Sequence, residues 1–204
     1  MEIKDFTMTP FYTNCYVVSD GGEAIVMDPG EASEALLEYL KPFKVLMIIN
    51  THAHCDHCGG NEWLKDKTGA PLLLHEADLP LLQTVRQQGM MFGVDFPTSP
   101  MPDRFLQEGE VLTVGAVSFT VRLVPGHAPG HVALVGPGMV FSGDVLFSGS
   151  IGRTDLPGGD SKQLMTSIKT ELMTLPDETV VYSGHGPITT IGVERISNPF
   201  LVTL

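Results

Sequence analysis

Four residues with metal-binding side chains lie within six positions of one another, directly after the apolar run 45–49. They are His52, His54, Asp56 and His57. Imidazole and carboxylate groups suit zinc and the harder first-row divalent metals. Side chains two positions apart on extended backbone share a face, so His52 and His54 can bind one ion. The bend that follows turns Asp56 and His57 toward a second. The spacing therefore predicts two adjacent ions and an enzyme; the alternative is a polar turn that happens to be rich in histidine.

Three further polar residues also follow short apolar runs. They are His127, Asp144 and His185, and a glycine precedes each of them. Glycine lets the backbone turn sharply and approach a ligand closely, which a site assembled from several strand ends requires.

The elements that must position these residues alternate between strands and helices in the first half of the chain. The pattern there predicts strands at 14–19, 24–28, 44–50 and 71–75 and helices at 32–40, 62–67 and 77–87. In the second half it predicts strands at 111–114, 117–124, 132–135, 139–141 and 179–182 and helices at 162–175 and 192–196. Segment 88–104 is interpreted as a flap over the site, with simple coverage of the core as the alternative. An α+β fold of two stacked sheets with helices outside follows.

The composition indicates a single domain over residues 1–204. With 43% hydrophobic residues the chain can bury a substantial core. Its 24 acidic and 12 basic residues give a formal charge of -12, which argues against nucleic acid and anionic membranes as partners. Nothing resembles a signal sequence or the ~18 apolar residues of a membrane span, and three cysteines fit a reducing compartment. We therefore expect a soluble, cytoplasmic protein, whose oligomeric state the sequence leaves open.

Motifs extend almost from end to end along the chain. They read Thr-His-Ala-His-Cys-Asp-His at 51–57, Pro-Gly-His-Ala-Pro-Gly-His at 125–131, Phe-Ser-Gly-Asp at 141–144 and Ser-Gly-His-Gly-Pro at 183–187. Together with Asn-Cys-Tyr at 14–16, Asp-Pro-Gly at 28–30 and Gly-Arg-Thr-Asp-Leu-Pro-Gly-Gly-Asp at 152–160, this set resembles the metallo-β-lactamase-fold hydrolases. The resemblance is strongest to their short, single-domain glyoxalase II-like branch. It implies a four-layer αββα sandwich, with two mixed sheets between outer helices.

The resemblance also implies seven metal ligands. One ion would be held by His52, His54 and His127. The other would be held by Asp56, His57 and His185, and Asp144 would bridge the two. The implied cofactor is a pair of divalent ions, with zinc expected and iron or manganese as alternatives, because histidine and aspartate accept all three.

The implied reaction is hydrolysis of a small thioester, of the hydroxyacylglutathione type, by a metal-bridging hydroxide. A water between two cations loses its proton near neutral pH, its pKa falling from ~15.7 toward ~7. Asp56 and Asp144 are the catalytic candidates; Asp56 either accepts a proton from the water or serves only as a ligand. A bridging carboxylate at Asp144 disfavours the antibiotic-hydrolysing branch, which a soft Cys ligand or no ligand there would suit better.

Arg153 is the candidate substrate-binding residue. It matches the position at which related enzymes place a cation that meets the substrate carboxylate, and a guanidinium suits that bidentate contact. The alternative is an ion pair with Asp155 or Asp160. Two departures leave glutathione open as part of the substrate: the chain stops at Leu204 without the carboxy-terminal helical region of larger glyoxalase II enzymes, and Asp155 replaces their tyrosine.

Two other functions remain as alternatives. A persulfide dioxygenase-like oxidoreductase would use one iron held by His52, His127 and Asp144, the two-His-one-carboxylate arrangement. It is disfavoured because 156–157 lacks the aromatic-glutamine pair of that branch. A non-catalytic relative is disfavoured because the implied ligand set is complete.

Two cysteines and two histidines remain outside the ligand set. Cys55 and Cys58 form a Cys-x-x-Cys for which packing is favoured over a redox role. His75 is assigned to the surface or to packing. His131 is either structural or a hydrogen-bond partner of a ligand.

Overall fold

The structure is a computed structural model that describes residues 1–202. These residues form two compact units. The first contains residues 1–106 and 113–118, and the second contains 107–112 and the described residues from 119 onward. That the chain is a single domain over 1–204 stays a prediction.

The sheet of the first unit has six strands in the order β1 to β6. They are β1 (Glu2–Met8), β2 (Thr13–Asp20), β3 (Glu23–Met27), β4 (Lys44–Ile49), β5 (Leu72–His75) and β6 (Arg104–Leu106). Strands β1 to β3 pair antiparallel, and β3 to β6 pair parallel. Because the carboxyl ends of parallel strands meet at one edge, the residues that follow β3, β4 and β5 lie near one another.

The helices of the first unit are short. They are α1 (Glu34–Leu40), α2 (Cys55–Cys58), α3 (Asn61–Thr68), α4 (Leu79–Leu82) and α5 (Val85–Met91), with a 3₁₀ turn at Glu76–Asp78. The prediction of one continuous helix over 77–87 is wrong. Pro80 lies in the first turn of α4, and the Thr84 hydroxyl donates to the Leu81 carbonyl over 2.9 Å. Such local bonds compete with the helical ladder, and the helix restarts at Val85.

The second six-stranded sheet has the order β14-β13-β10-β9-β8-β7. Its strands are β7 (Val111–Val114), β8 (Val117–Leu123), β9 (Val132–Gly136), β10 (Met139–Gly143), β13 (Val180–Ser183) and β14 (Thr189–Thr190), and a hairpin of β11 (Leu146–Phe147) and β12 (Ser150–Ile151) lies between β10 and β13 in the chain. Strand β9 pairs antiparallel with both β8 and β10, and β10 pairs parallel with β13. Strands β8, β10 and β13 therefore end at the same edge. The prediction of two mixed sheets is confirmed.

Among the described residues, the second unit also contains helices α6 (Ser161–Ser167), which precedes β13 in the chain, and α7 (Ile191–Ser197), which follows β14. The Asp160 side chain caps α6 by accepting from the Gln163 backbone N–H over 2.9 Å. The predicted helix over 162–175 continues from α6 only as a π-helical turn at Ile168–Leu172. Leu164, Ile168 and Leu172 are buried in the core of this unit.

The segment 88–104 is part buried and part exposed. Phe96 belongs to a buried cluster with Ala53 and Cys55, while Met90 and Met91 are exposed. The flap interpretation stays a prediction. Among residues 1–202, no helix has the length and apolar character that crossing a membrane requires.

Candidate metal centre

The first cluster of candidate ligands follows β4. The chain leaves the sheet at Asn50, runs extended through His54 and enters α2 at Cys55. His52, His54 and His57 are buried, and the ring centroid of His52 lies 4.8 Å from that of His54 and 4.1 Å from that of His57. The ligand atoms of His52 and His54, of His52 and His57, and of Asp56 and His57 lie within 4.8 Å of each other. The structure therefore brings these four candidate ligands close together within the first unit.

Asp28 supports this cluster from the end of β3. Its Oδ1 accepts from the Thr51 backbone N–H and its Oδ2 from the Thr51 hydroxyl, both over 2.7 Å. Asp28 Oδ2 also lies 3.1 Å from His57 Nδ1. A carboxylate beside one ring nitrogen favours the tautomer that leaves the other nitrogen able to bind a metal. Because β3 and β4 are parallel neighbours, Asp28 lies beside residues 50–57, the ligand loop, which carry the first cluster.

Two other side chains hold the same loop. The Thr13 hydroxyl, at the start of β2, donates to Asp56 Oδ2 over 2.8 Å. Asp78, which is buried after β5, accepts from the Ala53 backbone N–H over 3.0 Å. No role for Thr13, Asp28 or Asp78 was predicted from the sequence. Each lies within three residues of the start or end of a strand, and Asp28 also begins the Asp-Pro-Gly motif at 28–30.

The second cluster lies at the shared edge of β8, β10 and β13. Asp144 Oδ2 is 3.5 Å from His127 Nε2 and 3.3 Å from His185 Nε2. His127 Nδ1 lies 2.7 Å from the Arg153 carbonyl oxygen, which orients Nε2 toward Asp144. The carboxylate therefore lies between two imidazoles in the second unit, the arrangement expected of a metal site.

His131 positions the backbone of the second cluster. Its Nε2 accepts from the Asp144 backbone N–H over 3.0 Å, so of the two predicted roles it is a hydrogen-bond partner of a candidate ligand. Gly152 allows the β12 segment to approach the same residue, because a Cβ at 152 would lie 1.9 Å from the Asp144 carbonyl oxygen. His75 lies outside the ligand clusters, and its Nδ1 accepts from the Ala77 backbone N–H over 3.3 Å.

Arg153 pairs with Asp155 in the structure. Its Nε and Nη2 donate to the two carboxylate oxygens over 2.7 and 2.8 Å. The hydrogen bonds from Arg153 lower the pKa of Asp155 to about 2. Both side chains are exposed, and Asp160, the other suggested partner, instead caps α6. The role of Arg153 in substrate binding stays a prediction.

Cys55 and Cys58 are free thiols in a buried, largely apolar cluster. Burial raises the pKa of Cys55 to about 12 and that of Cys58 well above its ordinary value. A thiol that is protonated and inaccessible reacts slowly, since the thiolate is the nucleophile.

Alkylation of the native protein is therefore expected to have little effect. Treatment with iodoacetamide at neutral pH should leave Cys55 and Cys58 unmodified by intact-mass measurement and metal content unchanged. Unfolding the protein first should allow modification of both. Rapid labelling of either thiol in the native state, with loss of metal, would support a reactive role instead.

The donor sets of both clusters fit metal ions. Each contains at least one buried imidazole and at least one carboxylate within a few ångströms, and these groups together suit zinc, iron and manganese. The described clusters contain no cysteine ligand, which is consistent with metals of intermediate hardness.

Known proteins resemble this chain over almost its whole length. A sequence model described as the metallo-beta-lactamase superfamily matches residues 8–185. The hydroxyacylglutathione hydrolase GloC of Haemophilus influenzae is 39% identical, with 98% of both chains covered. The crystal structure of BLEG-1 B3 metallo-beta-lactamase has 40% identity and a TM-score of 0.91, covering 98% of this chain and 99% of its own. That of TTHA1623 in a di-iron-bound form has 42% identity and a TM-score of 0.90, covering 97% and 100%. These matches confirm the predicted fold class.

Proposed function

The chain belongs to the metallo-beta-lactamase superfamily, and we propose that it is a dinuclear metallohydrolase that cleaves small thioesters. The observation that carries the proposal is the pair of His/Asp clusters, above all the Asp144 carboxylate within 3.5 Å of two imidazoles. A relative that is 39% identical over 98% of both chains is described as a hydroxyacylglutathione hydrolase, which supports thioester hydrolysis.

The proposed centre unites the two clusters. His52, His54 and His127 would hold one ion, Asp56, His57 and His185 would hold the other, and Asp144 would be a ligand shared by both. The pairwise proximity of ligand atoms within each cluster supports this assignment. Zinc is the expected metal. The di-iron form of a protein 42% identical to this one supports iron as the alternative.

The reaction requires the protein to orient water and substrate. Bound divalent ions would bring the pKa of a water toward ~7 and polarise the substrate carbonyl. Thr13 fixes the carboxylate plane of Asp56 through its 2.8 Å hydrogen bond, and Asp56 in turn orients the attacking water and accepts its proton. Asp144 holds its position through the backbone contact with His131.

Arg153 is proposed to bind a carboxylate of the substrate. Its guanidinium already makes a bidentate contact with an exposed carboxylate, that of Asp155. A substrate carboxylate can take over this contact at little cost, because an exposed ion pair contributes only about 0–1 kcal/mol. The proposed substrate is therefore an anionic acyl thioester, with S-lactoylglutathione as the first to test.

A second candidate function is hydrolysis of β-lactams. The protein described as BLEG-1 B3 metallo-beta-lactamase is 40% identical to this chain over nearly its whole length. A cyclic amide would need the same activated water and the same polarised carbonyl. The leaving group, an amine rather than a thiolate, distinguishes the two.

Reconstituted enzyme is expected to release thiol from S-lactoylglutathione. Protein freed of metal by chelation should be inactive and should regain turnover with zinc, iron or manganese, as measured with a chromogenic thiol reagent. Elemental analysis of protein purified without added metal should find close to two ions per chain.

The same preparations separate the alternatives. A β-lactam such as nitrocefin tests the second candidate, and oxygen uptake with glutathione persulfide tests an oxidoreductase that uses one iron. Absence of thiol release from S-lactoylglutathione with every metal would reject that substrate, and failure to retain any metal would reject the proposed function.

A further inference from the structure

The side-chain amide of Gln88 contacts the ligand loop on both sides of His54. Gln88 lies in the middle of α5 and is partly buried. Its Oε1 accepts from the Cys55 backbone N–H over 3.0 Å, and its Nε2 donates to the Ala53 carbonyl over 3.2 Å. Nε2 also donates to the Leu81 carbonyl over 2.8 Å. One side-chain amide thus forms hydrogen bonds with backbone groups of both the ligand loop and helix α4.

These two loop contacts restrain the backbone of one residue. The Ala53 carbonyl belongs to the peptide group before His54, and the Cys55 N–H belongs to the peptide group after it. Holding both peptide planes limits rotation about φ and ψ of His54, which are −75° and 151°. The direction of the His54 side chain depends on these angles.

The position of Gln88 is itself fixed by packing. Phe96 is buried, and a Cβ added at Gly59 or at Gly89 would lie 2.6 Å from its ring. Its ring therefore contacts the backbone at the end of α2 and in α5. Helices α2 and α5 pack against each other, so the amide of Gln88 is held at a set distance from the loop.

We propose that Gln88 is a positioning residue for the metal ligand His54. This proposal rests on the proposed function, in which His54 binds the first ion together with His52 and His127. Side chains that orient ligands typically change metal affinity by 10- to 100-fold when replaced. Gln88 therefore couples the segment from 88 onward to metal binding without touching the metal.

Two variants test the contact. Gln88→Met keeps the length and apolar stem but removes the acceptor oxygen, which bonds to the Cys55 N–H, and the donor nitrogen, which bonds to the Ala53 and Leu81 carbonyls. Gln88→Glu keeps an acceptor for the Cys55 N–H but turns a carboxylate oxygen toward the carbonyls of Ala53 and Leu81. Gln87 is exposed on the same helix, so Gln87→Met and Gln87→Glu are matched controls for hydrophobicity and charge.

The expected result is a weakening of one metal site. Both Gln88 variants should raise the Kd for one of two zinc ions by about tenfold in competition with a chromophoric chelator. They should also shift the visible absorption of the cobalt-substituted protein. Both Gln87 variants should stay within about twofold of the unaltered protein and keep its spectrum.

A purely structural role predicts a different result. It would lower the melting temperature of the Gln88 variants while both zinc affinities and the cobalt spectrum stay equal to those of the Gln87 controls, and that outcome would overturn the proposal. If Gln88→Met does not fold, Gln88→Glu decides by the same comparison. If the unaltered protein binds no metal, it is the proposed function that fails.

Discussion

Replacing Asp144 with alanine is expected to lower turnover by at least about 100-fold, the upper end of the range for residues that only orient ligands, and to reduce bound metal below two ions per chain. Its Oδ2 lies within 3.5 Å of both His127 and His185, so the substitution removes the anion that would balance the charge of ions bound by these imidazoles in the proposed centre. The side chain is 10% exposed, which limits the access of solvent oxygen as a substitute ligand. Metal content by elemental analysis and thiol release from S-lactoylglutathione give the two readouts.

Asp177→Ala is the control for this substitution. Asp177 is an exposed carboxylate of the same unit, paired with Arg195, and its removal changes the net charge by the same amount. We expect this variant to keep two ions and full turnover. If Asp144→Ala kept both, the assignment of Asp144 as the bridging ligand would be wrong.

The candidate ligands could be proposed from the sequence because residues with metal-binding side chains occur directly after apolar segments that read as strands. His52, His54 and His57 lie within six residues after a recognisable strand, and their mutual proximity follows from local geometry alone. Asp144 and His185 lie far apart in the chain but follow parallel neighbours, β10 and β13. The shared edge of these strands accounts for the short distance between the two side chains.

The supports of the ligand loop could not be predicted in the same way. Thr13, Asp78 and Gln88 reach the loop across 43, 25 and 33 residues. Ordinary polar residues carry no sign of a partner at such separations, because the contact depends on strand order and register. The support from Gln88 depends in addition on the close approach of α5 to α2, which the glycines at 59 and 89 permit.

Two local features explain where the predicted secondary structure is wrong: exposed residues in a strand and side-chain hydrogen bonds in a helix. Strand β1 was not predicted because four of its seven residues are exposed and three are charged, as is common in edge strands. The helix predicted over 162–175 changes to a π-helical turn where Thr166 and Thr170 hydroxyls donate to carbonyls four residues earlier. The periodicity of hydropathy along the sequence does not reveal either effect.

Replacing Asp28 with alanine is expected to lower the free energy of unfolding by about 3–5 kcal/mol, the range for removing one partner of a buried charged network. The carboxylate is buried and accepts two hydrogen bonds from Thr51, and it lies 3.1 Å from His57 Nδ1. Its loss leaves a backbone N–H and a hydroxyl buried without their acceptor. Denaturant unfolding of the metal-free protein measures this change in the free energy of unfolding without any contribution from bound metal.

Asp28→Asn separates charge from backbone conformation. Asp28 has φ of 52°, a left-handed conformation that asparagine tolerates and that costs alanine about 1 kcal/mol more. Asparagine keeps one acceptor for Thr51, so we expect a smaller loss of about 1–2 kcal/mol, together with weaker metal binding because the partner of His57 is no longer charged. The exposed carboxylate Asp66 provides the control, and Asp66→Ala should change neither quantity. If Asp28→Asn and Asp28→Ala were both as stable as Asp66→Ala, the Asp28 network would not stabilise the ligand loop.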